Sequence, residues 1–373
     1  MGLFCIPSAL QIDLDDMGWF CGRDDRKAGG PSRTGIPRRH VPADYLAVNE
    51  LGRRLNMRIN CGLVIGEWDA DNSLGAIPHL SPYGQWNNAA YYDAEGVGAC
   101  VDALNASGYI NPCIHGLMHG YYSPLADWHD TSDFYYRVKN ELKMLPEDEV
   151  RARLDAFLHL LGSNGVKLRL HSFIPPSFAY RWDELSRILW EYGVRYVGTI
   201  FGTMDKNGAS LEGSIGIEPC GMVTYDRHNN PIPWDAFGGW DDLPPMTGLI
   251  GVHWPNLLHK DPERNTESVD AAERYLRRMT ENFGTILSRG VEFYTSQALY
   301  KRYAVTAEND GVMTVDLSGL PRTPALADRF YISARRPITA ISGCTATVYE
   351  GAEGFITYEV IPTAGLLTVA AES

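Results

Sequence analysis

The sequence predicts an α/β chain: a closed or distorted barrel of βα units, then a small antiparallel β domain. Three observations point there. Short apolar runs alternate with helix-like segments through residue 303. About seven or eight βα units can be counted in that stretch, which suits a barrel better than an open sheet, although an open doubly wound sheet follows the same alternation. From 305 to 373 there is no His and no Trp, and short alternating runs divided by Gly and Pro replace the βα pattern. Two units follow from this, residues 1–303 and 304–373.

The elements come in order. Residues 10–14, LQIDL, read as the first strand. Residues 42–56 read as a helix with Pro42 near its first position, and 58–66 as the second strand. Residues 92–108 form a helix closed by glycine, before a strand at 109–115 that Pro112 makes irregular. The clearest helix is 147–165, where acids open the first turn and a Gly-rich end stops it. A strand at 166–174, a helix at 182–193 and a strand at 194–200 follow. A strand at 247–254, a helix at 268–290 and a strand at 291–295 complete the series.

Composition narrows the function. Hydrophobic residues make up 45% of the 373, enough for a real core. The net charge is −13 with no basic block, which excludes a nucleic-acid binder, since phosphate binding needs clustered Lys and Arg. A neutral or cationic small molecule or a glycan fits better, and the 20 Tyr and 9 Trp include rings that can stack on sugars. No G-x-G-x-x-G follows the first strand, so dinucleotide binding has no support. No run of 18 apolar residues is present, so no membrane span is expected. Seven cysteines without a C-x-x-C pair, and an N-terminus unlike a signal peptide, place the chain in a reducing, cytoplasmic compartment.

In a βα barrel the reactive groups gather at the C-terminal ends of the strands. The first strand ends in LDD, placing Asp15 and Asp16 there. The third ends at His115, and His119 in HGLMH follows one helical turn later, with both rings on one side. A late strand ends at His253 in GVHW. A carboxylate and two neutral imidazoles suit a divalent ion, zinc first. Asp16, His115 and His119 are the candidate ligands, leaving open positions for water and substrate. Asp15 is the candidate general base and His253 the candidate acid for the leaving group. Trp19, Tyr121, Tyr122 and His171 are candidate substrate contacts, and the long aromatic stretches 67–90 and 120–146 shape the pocket.

With LDD at 14–16, HGLMH at 115–119, FIPPSF at 173–178 and GVHW at 251–254, residues 8–300 resemble the polysaccharide deacetylase family, the NodB-like metal-dependent carbohydrate esterases. The resemblance implies a distorted (β/α)7 barrel, a metal on Asp16, His115 and His119, a base at Asp15 and an acid at His253. It implies a hydrolase of an amide or ester, one that deacetylates an amino sugar or glycan. The chain departs from the family pattern twice. Gly116 stands where the family has Ser or Thr, and Ile174 stands where it has the Arg that orients the base. Arg169 and His171 are the candidates to replace that Arg, and 233–242 could supply another acid or substrate contacts. Two rival readings share these residues: a different metal-dependent reaction on a carbohydrate, and a non-catalytic glycan-binding protein with a structural metal.

Overall fold

The structure, a computed structural model, describes residues 2–18, 38–81, 84–90, 92–127, 132–211, 213–227 and 230–372. After a short strand β1 (Phe4–Cys5), the barrel unit runs β2 (Ser8–Met17), α1 (Pro42–Leu55), β3 (Ile59–Val64), α2 (Ala94–Ala106) and β4 (Ile110–Gly116). A hairpin of β5 (Tyr135–Val138) and β6 (Glu141–Met144) precedes α3 (Glu147–Ser163). Then come β7 (Ser172–Phe173), α4 (Ser186–Glu191), β8 (Tyr196–Thr199), β9 (Ile215–Ile217), β10 (Val223–Asp226) and β11 (Leu249–His253). The unit closes with α5 (Asn265–Thr280), β12 (Thr285–Leu287) and α6 (Val291–Tyr303).

The main sheet has the order β11-β2-β3-β4-β7-β8-β10-β9. Its pairs are parallel except β9 with β10. β2 has two partners on one edge: Ser8–Leu10 pair with β12, and Gln11–Asp15 pair with β11. The sheet curls. β10 lies five strands from β2, roughly 24 Å away if the sheet were flat. Yet the Tyr225 hydroxyl on β10 donates to Asp13 Oδ2 on β2 at 2.9 Å. Among the described residues the edge strands β11 and β9 do not pair with each other, so the curl is an open one.

Polar groups fill the centre of this curl. Asn60 Nδ2 donates to Asp13 Oδ1, while Asn60 Oδ1 accepts from Ser172 Oγ and Asn111 Nδ2. Aliphatic side chains instead fill the space between sheet and helices, including Ile12, Leu14, Val48, Leu51, Leu104 and Leu154.

Three local readings need correction. Residues 291–295 are the first turn of α6, and the last strand is β12. Their β-branched and aromatic composition favours a strand, but Val291, Tyr294 and Thr295 are buried at helical spacing behind Gly290. Only Ser172 and Phe173 of 166–174 are strand, so His171 stands at the start of β7 rather than at its end. The stretch between 200 and 247 holds two strands, β9 and β10, that short runs among Gly and Pro conceal.

The C-terminal unit pairs two antiparallel sheets. One is β1-β15-β18-β17, with β15 (Phe330–Ala334), β17 (Cys344–Ala352) and β18 (Phe355–Pro362). The other is β13-β14-β19-β16, with β13 (Val305–Asn309), β14 (Val312–Asp316), β16 (Ile338–Ser342) and β19 (Leu366–Ala371). A division at 303/304 falls between α6 and β13, but Phe4 and Ile6 pack into the C-terminal core with Phe330, Ile332 and Val360. β1 therefore belongs to the second unit although it precedes the first in sequence. No described helix is long and apolar enough to cross a membrane.

Candidate metal centre and active site

Successive strand residues face opposite ways, so Asp13 and Asp15 of β2 share the inner face. Asp16 should point away. It does not, because β2 gains a residue against β3 at this point: Leu14 pairs with Cys61 and Met17 with Leu63. This bulge, with Asp16 at φ 66°, turns a third carboxylate inward. Aspartate tolerates that left-handed backbone better than most residues.

His115 lies on the same inner face, at the end of β4. β3 keeps Gly62 beside it, where a Cβ would stand 3.0 Å from His115 Cβ. Residues 115–119 are not the helical turn that their spacing suggests. The backbone leaves β4 through Gly116 at φ 149° and reaches His119 at φ 52°. The two imidazole centroids are 5.1 Å apart. Asp133, fully buried, holds the bend: its Oδ1 accepts from Met118 N at 3.1 Å. Arg153 pairs with it at 3.4 Å. A Cβ at position 116 would collide with the Asp133 carboxylate. Gly116 thus makes room for Asp133, whose carboxylate bonds this loop.

The donor set fits a divalent cation. His115 Nδ1 lies 2.7 Å from the Ile174 carbonyl. A carbonyl only accepts, so Nδ1 carries the proton and Nε2 of a neutral His115 presents its lone pair. That Nε2 is 3.4 Å from Asp16 Oδ1, and His119 Nε2 is 3.8 Å from the same oxygen. Ligand atoms around tetrahedral zinc stand about 3.3 Å apart at ordinary bond lengths. Asp16 Oδ1 is buried without a hydrogen-bond partner. Three acceptors therefore converge in a buried pocket, and either a cation or a proton must join them. Without the cation, burial opposes charging His115, yet Asp16 pulls its pKa above the ordinary value. Burial likewise disfavours the Asp16 anion, but His115, His119 and His253 hold its pKa well below the usual carboxylate range.

Asp15 and His253 flank this group. They are register partners in the parallel pair β2–β11, so they stand side by side. His253 Nε2 lies 3.9 Å from Asp16 Oδ2, and Asn230 Nδ2 approaches its Nδ1 at 3.4 Å. Burial pushes the His253 pKa below its ordinary value, against the upward pull of Asp15 and Asp16. Asn256 fixes the turn behind it by accepting from His253 N and donating to the Pro233 and Ala236 carbonyls.

The candidate base has a cation of its own. Arg227, directly after β10 and fully buried, donates from Nη1 to Asp15 Oδ1 at 2.7 Å and from Nη2 to the Asp13 carbonyl at 3.4 Å. Its Nε is 3.7 Å from Asp13 Oδ2. Gly251 leaves the space, since a Cβ there would stand 2.6 Å from Arg227 Nη2. Neither Arg169 nor His171 does this work. Sequence reasoning misses Arg227 because it follows an unread strand; the alternating VTYD before it is the signal that finds it.

Of the remaining expected residues, His171, Tyr121 and Tyr122 are described. The structure does not bring His171 to this rim: it stands at the N-terminal end of β7, with Nε2 2.7 Å from Glu292 Oε1. Tyr121 is buried, its ring 5.2 Å from His79 and 5.3 Å from Tyr136, so it packs rather than lines an open surface. Tyr122 is half-buried and donates its N–H to the His79 carbonyl. Trp19 lies outside the described residues. In 233–242, Trp240 is buried with Nε1 on the Asn256 carbonyl, and Asp241 pairs outward with Arg274, so the segment props the His253 turn.

No protein-family model matches the sequence, and no curated protein matches it. Among solved structures, the chain is similar to a mutant of a CE4 family pseudoenzyme with restored enzymatic activity, at 13% identity and a TM-score of 0.38, over 78% of this chain and 68% of that one. It is similar to a family 4 carbohydrate esterase from Streptomyces lividans in complex with acetate, at 11% identity and a TM-score of 0.34, over 75% of this chain and 92% of that one. It is also similar to a GH57 branching enzyme from Thermococcus kodakaraensis, at 14% identity and a TM-score of 0.34, over 75% of this chain and 63% of that one. Likenesses this distant span more than one chemistry, so the side chains of the site must carry the functional reading.

Proposed function

We propose that this chain is a divalent-metal-dependent hydrolase of an amide or ester bond, acting to remove an acetyl group from an amino sugar or glycan. The observation that carries the reading is the neighbourhood of Asp15: a carboxylate outside the ligand set, pinned by a buried arginine beside a three-acceptor metal site. A structural metal needs no such second carboxylate. The acetylated sugar follows from the order of motifs along the chain.

Asp16, His115 and His119 would hold the ion, with zinc the best match to one oxygen and two nitrogens. When bound, such an ion supplies Lewis acidity toward a carbonyl and lowers the pKa of water. Asp15 then accepts the proton of the attacking water, with Arg227 fixing the carboxylate in place. His253, register partner of Asp15, delivers a proton to the departing amine or alcohol. His115 keeps its ligand tautomer through the Ile174 carbonyl.

The test is turnover of N- and O-acetylated amino sugars, acetylated peptides and lactones by protein purified without chelator, with metal content measured on the same sample. Acetate release from the sugars that chelation abolishes and zinc restores supports the reading. A metal-loaded protein that turns over none of the panel, or releases acetate equally after chelation, defeats it.

A further inference from the structure

The opposite end of the curled sheet holds a second candidate site. There the N-terminal ends of the strands enclose a cavity of about 450 Å³. Arg58 precedes β3, Arg195 precedes β8, and Arg169 and His171 precede β7; all four line it, against one carboxylate, Glu292. In a chain of net charge −13, three arginines and a histidine around one cavity run against the trend of the surface.

These groups are not merely balancing one another. Arg58 Nη2 donates to both Glu292 oxygens at 3.1 and 3.2 Å, and His171 Nε2 lies 2.7 Å from one of them. The single anion is thus already engaged. Arg195 is held in place by stacking 3.7 Å over the Trp190 ring and by donating to the Trp190 and Val194 carbonyls. Arg169, exposed, makes no hydrogen bond or ion pair among the described residues. Arg169 and Arg195 therefore line the cavity without a carboxylate partner among the described residues. A second cavity, of about 280 Å³, shares Tyr196 and Glu292 with the first and is walled by Phe293 and Tyr331. Those two rings stack with centroids 4.6 Å apart.

We propose that this face binds a small phosphate monoester, its dianionic head on Arg169 and Arg195 and a compact ring or apolar body toward Phe293 and Tyr331. Two guanidinium forks match the charge and geometry of a phosphate dianion. The site lies beyond the far end of β4 from His115, about 13 Å of strand from Asn111 to His115. It is therefore separate from the proposed metal centre.

Calorimetric titration of phenyl phosphate into the full-length protein tests this. One site is expected, with affinity falling ~10-fold or more in Arg169→Glu and less in Arg169→Lys. Arg169 is exposed, so both variants should keep the wild-type melting curve. Phosphate also ligates metals, so His119→Ala serves as the control and should bind phenyl phosphate as the wild type does. Absence of binding, affinity unchanged in Arg169→Glu, or binding lost in a folded His119→Ala would each overturn the proposal.

Discussion

Arg227 Nη1 donates to Asp15 Oδ1 at 2.7 Å, joining the end of β10 to a strand five places away in the sheet. The pair is fully buried, and the same guanidinium reaches the Asp13 carbonyl. Breaking a buried pair by removing one partner typically costs about 3–5 kcal/mol. Arg227→Met should therefore lower stability clearly. Arg227→Lys keeps the charge but loses the fork, so it should stay folded and metal-loaded with kcat reduced about 10²-fold, the scale of a misplaced catalytic group. Melting curves, metal content and turnover on one substrate separate the two variants. A fully active lysine variant would mean that charge alone is needed at this position.

His119→Ala should strip the ion while leaving the sheet intact. His119 sits in a loop held by Asp133 and belongs to no strand, so its side chain is not needed for strand pairing. Elemental analysis of protein purified without chelator provides the check. A stoichiometric ion in this variant would move the ligand set away from Asp16, His115 and His119.

His253→Ala should retain both metal and fold, because the turn behind it depends on the His253 backbone N–H and the Asn256 side chain. Loss of a general acid typically lowers turnover ~10²–10⁴-fold. Single-turnover kinetics on an acetylated sugar with a poor leaving group would show the largest effect. Unchanged kcat in the loaded variant would assign the proton to another donor.

Asp13 gives the interior a pH dependence of known sign. Burial pushes its pKa up to about 6 from 3.8, despite opposing pulls from Arg227, Tyr225 and Asn60. Between those values the folded chain keeps a proton that the unfolded chain has released, so stability falls as pH rises through that window. A shift of roughly two units corresponds to about 3 kcal/mol, fully expressed above the folded pKa. Asp13→Asn should flatten the dependence of melting temperature on pH between about 4 and 6. Parallel wild-type and variant curves across that range would show that Asp13 does not titrate there.

Much of this site is legible in the sequence because its parts are local. LDD, HGLMH and GVHW each end a strand of the sheet, and the strands' apolar runs mark where those ends fall. The inward turn of Asp16 is not legible, since it comes from an extra residue in β2 that only the pairing with β3 reveals. Arg227 and Asp133 escape for a different reason. Each acts on a residue distant in sequence, Asp15 in one case and Met118 in the other, through contacts that only the curled sheet and the folded loop create. His171 is misplaced because β7 is two residues long, too short for its polarity along the barrel to be read from alternation.

The pairing of β1 with β15 has a consequence for how the chain is made. Phe4 lies opposite Ala334, a partner that leaves the ribosome long after it. Domains commonly fold as they emerge, and β2 begins at Ser8, so the barrel can assemble while Phe4 and Ile6 wait uncovered for the C-terminal core. The nascent chain therefore passes through a long interval with β1 unpaired. That makes the segment 2–7, rather than the loops around the candidate site, the one on which a chaperone would have most reason to act.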